Sequence, residues 1–144
     1  MPYLQKYSQI ACDTGIPVVR HMVLNYQNDA NVYNMDDQFM FGDALMVAPI
    51  LELESYNRDV YLPEGNWMNL LTGEIYEVGA EGMTISMHVF LDQIAVFMNL
   101  DSEDVADLLP VFNGENWQAI NRGVEIEYEE PPHPGDVYED DIFY

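Results

Sequence analysis

Three carboxylates crowd the stretch "MDDQFMFGDALMVAPIL": Asp36, Asp37 and Asp43. Two carboxyl groups in reach of one bond can act as general acid and general base. The same residues also suit a helix cap or loop hydrogen bonds, and that structural reading is preferred. Arg20, at the end of a predicted strand, is the natural partner of Asp37 or Asp43, as a structural ion pair rather than a substrate contact. His21 beside it reads as a packed or exposed histidine. No catalytic, substrate-binding or metal-ligating residue is assigned. The sequence shows no Ser-His-Asp pattern, phosphate-cradling glycine loop or zinc-ligand spacing. The calcium loop D-x-[DN]-x-[DN]-G with its trailing Glu is also missing. No cofactor is expected.

Two further groups carry latent chemistry. Trp67, Trp117 and the ten tyrosines offer rings that stack on sugar faces. Cys12, the single cysteine, precludes an intramolecular disulfide. It lies in an apolar-periodic segment and is expected to be a small core residue. His21, His88 and His133 are all distant from it in sequence.

The elements that must position these side chains fall into two textures. Tyr3, Leu4, Tyr7, Ile10 and Ala11 mark one helical face, predicting a helix over residues 2–13. Thr14-Gly15 and then Pro17 stop it. No capping residue precedes it, as if the helix began within a longer element. "IPVVRHMVLNY", Ile16 to Tyr26, has the β-branched content of a strand. "DDQFMF" is predicted to be a short helical turn capped by Asp36 or Asp37. The run "ALMVAPIL" is apolar without a break, which suits a strand covered on both faces. From there short extended pieces alternate with turns such as "PEGN" and "LTGE", the pattern of an antiparallel sandwich. The predicted fold is mainly β: a helix–strand piece over 1–43, a β-sandwich over 44–110, and an acidic extension over 111–144.

Charge narrows the partners. There are 26 acidic residues against 4 basic ones, a formal net charge of −22. Such a chain repels phosphate backbones and anionic membrane surfaces, so neither nucleic acid nor membrane is expected. No run approaches the roughly 18 apolar residues of a membrane span, and no signal-like N-terminal pattern is present. The localisation stays open.

Read in order, these pieces resemble a known family. "PYL" opening the helix, "TGIPVVR", "DQF", "GDALMVAPIL" and "RDVYLPEGNWMNLLTGE" are similar to glycoside hydrolase family 31, the α-glucosidase and α-xylosidase family. The likeness is clear over residues 2–75 and extends to 98. Arg20-His21 departs from the family's "R-P". In "IAVFMNLD", Ala95, Met98 and Leu100 replace its Pro, Arg and Gly. The resemblance implies a (β/α)8 catalytic barrel followed by β-sandwiches. This chain would supply the last barrel helix and strand, with Pro17 to Leu24 as that strand, and the proximal sandwich, with Trp67 packing its core. Retaining glycosidases use two carboxylates about 5 Å apart. In the family the nucleophile lies in "W-x-D-M-N-E", which these residues do not contain, so no catalytic residue carries over.

Three functions follow as alternatives. The chain is the C-terminal structural portion of such an enzyme, partnered with its barrel. Or it is a carbohydrate-binding or interaction module, with Trp67 or Trp117 exposed. Or it is a non-functional remnant, prone to self-association through uncovered apolar surface.

Overall fold

Pro2 opens the first helix, α1 (Pro2–Thr14), in a computed structural model that describes residues 2–52, 55–90 and 93–112. Its missing N–H costs nothing in a first helical turn. Tyr3 and Tyr7, one turn apart, are buried on one face. Gly15, at φ 78°, ends the helix and donates to the Ala11 carbonyl at 3.0 Å. Cys12 is exposed, against the expectation of a core position. It sits on the outer side of α1, away from the Tyr3–Tyr7 stripe that carries the burial.

The strand expected over Ile16 to Tyr26 is confined to β1 (Val19–His21). The chain then coils into a 3₁₀ turn over Met22–Leu24. The His21 imidazole causes the break: Nδ1 accepts from the Val23 N–H at 3.1 Å, satisfying a donor the strand would otherwise pair. A second 3₁₀ turn spans Ala30–Val32 and is capped by Asp29. "DDQFMF" does not form the predicted helical turn. It becomes β2 (Phe39–Phe41), hydrogen-bonded to β1 on one side and to β3 (Leu45–Ala48) on the other. Gln38 guides it there, because its amide accepts from the Tyr61 N–H at 3.1 Å and donates to the Tyr61 carbonyl at 2.7 Å. Asp37 engages Arg58 instead of capping a turn.

The remaining strands are β4 (Asn57–Leu62), β5 (Gly65–Asn69), β6 (Ile75–Val78), β7 (Met83–His88) and β8 (Ala95–Asn99). All pairings among the described residues are antiparallel. One sheet runs β1-β2-β3-β8-β5-β6, and β4 pairs with β7 in a second. A short helix, α2 (Val105–Phe112), follows at the end of the stretch expected to be sandwich; Val105, Leu108, Leu109 and Phe112 fall at helical spacing and pack into one core.

Two cores lie on opposite faces of the six-stranded sheet. Met46 and Ala48 of β3, Trp67 of β5 and Phe97 of β8 pack with Val60 and Leu62 of the two-stranded sheet. Leu45 and Met98 pack instead with Tyr3 and Tyr7 of α1 and Leu108 of α2. The unbroken apolarity of "ALMVAPIL" therefore has a physical cause. β3 is the shared wall between a sandwich core and a helix-covered core, and a period-2 strand with both faces buried needs no polar alternation. Ala95 and Met98, two of the departures noted above, are both fully buried.

Helix and sheet are joined at one tight point. The Tyr3 hydroxyl donates to the Phe41 carbonyl at 2.5 Å and accepts from the Ala44 N–H at 3.1 Å. It thereby bridges the β2–β3 turn. Gly42 in that turn has φ 65°, and a Cβ there would overlap the Tyr3 hydroxyl.

Candidate functional site

Of the carboxylates singled out in the sequence, Asp43 and Asp37 each hold a different arginine. Asp43 Oδ1 accepts from Arg20 Nη1 at 2.8 Å and from Asn25 Nδ2 at 3.0 Å. Arg20 is buried and also donates through Nε to the Pro17 carbonyl at 2.9 Å, while its guanidinium lies 5.5 Å from the centre of the Tyr7 ring. The ion pair expected of Arg20 is thus with Asp43. Asp37 pairs with Arg58 through Oδ2 at 3.1 Å and through its own carbonyl. Asp36 is exposed.

Asp104, which sequence reasoning did not single out, anchors the helix-covered core. Its Oδ2 accepts from the buried Tyr7 hydroxyl at 2.6 Å, and its Oδ1 from Lys6 Nζ at 2.7 Å. Burial and the Asp104 hydrogen bond push the Tyr7 hydroxyl well above the usual phenol range. Burial alone is the main cause of the rise of Tyr3 to about 12. Asp104 and Glu103 together hold the Lys6 ammonium in its charged form. The nearest sequence signal was the i, i+4 pair of tyrosines, amphipathic residues whose hydroxyls need a partner when buried.

Trp67 is fully buried and donates from Nε1 to the Pro63 carbonyl at 2.9 Å. It fills the sandwich core and cannot present a face to a sugar. His21 is exposed and serves its turn. His88 is also exposed and lies edge-on to Phe90, with 4.8 Å between ring centres. Trp117, His133 and all of the acidic extension expected over 111–144 except its first two residues, which belong to α2, lie outside the described residues.

The residues that do gather form a cleft the sequence did not announce. Its volume is about 510 Å³, and it opens between the 25–31 loop, the Pro63-Glu64 turn and the Ala80-Glu81 turn. One hydroxyl ties its walls together. Tyr61 donates to Asp29 Oδ2 at 2.7 Å and accepts from Asn31 Nδ2 at 3.0 Å. Gly82, at φ 71°, stands where any Cβ would overlap that same hydroxyl. Among the described residues no group of three or more His, Cys, Asp or Glu is arranged to hold a metal ion. No helix among them is long and apolar enough to cross a membrane.

Comparison with known proteins places this architecture. Residues 15–102 match the Glycosyl hydrolase family 31 C-terminal domain. The chain is 35% identical over 105 residues to an isomaltosyltransferase of Sporosarcina globispora, covering 71% of this chain and 9% of that protein. It is 38% identical over 79 residues to alpha-glucosidase 2 of Bacillus thermoamyloliquefaciens, covering 55% of this chain and 10% of that protein. A crystal structure of a GH31 alpha-xylosidase from a soil metagenome, complexed with xylose, superposes with a TM-score of 0.67 at 34% identity, over 74% of this chain and 16% of that one. The chain thus spans roughly a tenth of the curated relatives it matches. With the sandwich, the two-faced strand and the ordered motifs all agreeing, the chain belongs to glycosyl hydrolase family 31, in which it matches the C-terminal domain.

Proposed function

We propose that this chain is the structural C-terminal portion of a family 31 enzyme acting on α-glycosidic bonds, and that it holds none of the catalytic carboxylates itself. The observation that carries this reading is how its acids are used. Asp43 is engaged by Arg20 and Asn25, and Asp37 by Arg58. A retaining glycosidase needs one carboxylate free to attack and another free to exchange a proton across the same bond. Carboxylates committed to guanidinium groups serve architecture instead.

Its partner in this reading is the catalytic barrel, met through residues 1–43. Ile16, Val19 and Leu24 support that side: they flank or belong to the sheet-edge strand β1 and are 42%, 53% and 46% exposed. Apolar side chains along an unpaired strand edge are surface that a neighbouring domain would cover.

The test is an assay of the full chain with p-nitrophenyl α-glucoside. No turnover is expected. Turnover that disappears in Asp37→Asn or Asp43→Asn would place the chemistry in this chain and overturn the reading.

A further inference from the structure

The cleft joined at Tyr61 has features of a ligand site rather than of a packing defect. Its walls are fixed: Asp29 caps the 3₁₀ turn by accepting from the Asn31 N–H at 2.9 Å, and the Tyr61 hydroxyl clamps both residues. Gly82 leaves that hydroxyl room to sit between the loops. On the exposed lining of this frame several polar groups stay uncommitted to other protein groups. Among the described residues the side chains of Gln27, Asn28, Glu64 and Glu81 form no hydrogen bond. Asn25 Oδ1 is buried without a partner, although the same amide donates to Asp43.

The lining chemistry sorts the possible ligands. No Lys, Arg or His lines the cleft, and three carboxylates do, so phosphates and other anions are repelled. Ala30, Pro63 and Ala80 provide only small apolar surface, too little for a lipid or a drug-like aromatic. What remains is a lining of amides, which donate and accept, beside carboxylates, which accept. That set answers a ligand whose hydroxyl groups each donate and accept. Tyr26, half-buried against Trp67 at 6.3 Å between ring centres, adds a rigid aromatic border.

We propose that this cleft binds a neutral oligosaccharide and so forms a carbohydrate site on the sandwich, built from Gln27, Asn28, Glu64 and Glu81. The site is separate from any hydrolysis. It discriminates against sugars bearing phosphate or sulfonate, because the cleft has no cation to receive them.

The experiment follows backbone amide resonances of the full isotope-labelled chain during titration with isomaltotriose, maltotriose and glucose 1-phosphate. The neutral sugars are expected to shift residues 27, 28, 80 and 81 saturably, with a Kd on the order of 1 mM. Glucose 1-phosphate is expected to leave them unmoved. The double variant Gln27→Ala/Asn28→Ala should weaken binding by about tenfold while its urea midpoint stays that of the parent chain. The absence of saturable shifts with either neutral sugar would overturn the proposal. So would shifts confined to other residues, undiminished affinity in the double variant, or a response to calcium alone with none to sugar. Each of those results leaves the catalytic inactivity of the chain untouched, since that is read by the separate turnover assay.

Discussion

Tyr3 and Gly42 occupy complementary space: the tyrosine hydroxyl sits where the glycine would carry its Cβ. The contact joins α1 to the β2–β3 turn, and the same hydroxyl bonds the backbone on either side of Gly42. Gly42→Ala must therefore displace the ring and hold φ 65° with a side chain present. A loss of about 3 kcal/mol is expected, from overpacking together with an unfavourable left-handed backbone. Urea unfolding followed by circular dichroism measures it. An unchanged midpoint would mean that the turn relaxes freely and that the lock is not rigid.

Trp67 offers a contrasting case, since its role is volume. It is fully buried in the sandwich core and its indole N–H is satisfied by Pro63. Trp67→Ala should lower stability by about 3–5 kcal/mol. Trp67→Phe, which keeps much of the volume and leaves the Pro63 carbonyl without its donor, should cost less. Equal losses in the two variants would show that the hydrogen bond rather than the volume dominates.

Alkaline pH should unfold the protein from its tyrosines. Burial pushes both Tyr3 and Tyr26 up to about 12, against 10 for an unfolded chain. The folded state binds these protons more tightly, so their contribution is complete below pH 10 and is lost as pH rises from 10 through about 12. Urea midpoints should be flat below that window and fall within it. Tyr3→Phe should reduce the slope there, and a slope unaltered by that change would assign the alkaline transition to other groups.

Self-association of the isolated chain should depend on salt. The exposed apolar residues along β1 favour contact between copies, while the net charge of −22 opposes it. Raising ionic strength screens the repulsion and leaves the apolar contact intact. Light scattering should report a growing mass with added salt, and Val19→Lys should suppress the growth. A monomer at every salt concentration, with or without the substitution, would show that this edge is not adhesive.

Much of the fold was written in residue patterns, and the failures have definite causes. The Tyr3–Tyr7 spacing, the Thr14-Gly15 stop and the turn residues of "PEGN" and "LTGE" act locally, and the elements they predict are present. The strand expected through Tyr26 ends early because a single imidazole nitrogen captures a backbone donor, which composition cannot reveal. "DDQFMF" turns out to be a strand because Gln38 bonds residue 61 from across the molecule. Cys12 follows the helical period but lies outside the arc the tyrosines bury. The Tyr61 cleft was invisible for the same reason as the Gln38 contact. The 29–31 turn and Gly82, far apart in sequence, meet at the Tyr61 hydroxyl, and no local motif marks such a meeting.

The two-sided burial of β3 carries a consequence for pairing. In a half-buried strand, slipping by one residue turns apolar side chains to water, and that penalty fixes alignment. β3 has little such penalty, because Leu45 and Met46 are both apolar and both of its faces are covered. Its alignment with β2 must be dictated from the turn, where Gly42 can sit only beneath the Tyr3 hydroxyl. The helix that covers this sheet therefore also sets which strand residues face each other within it.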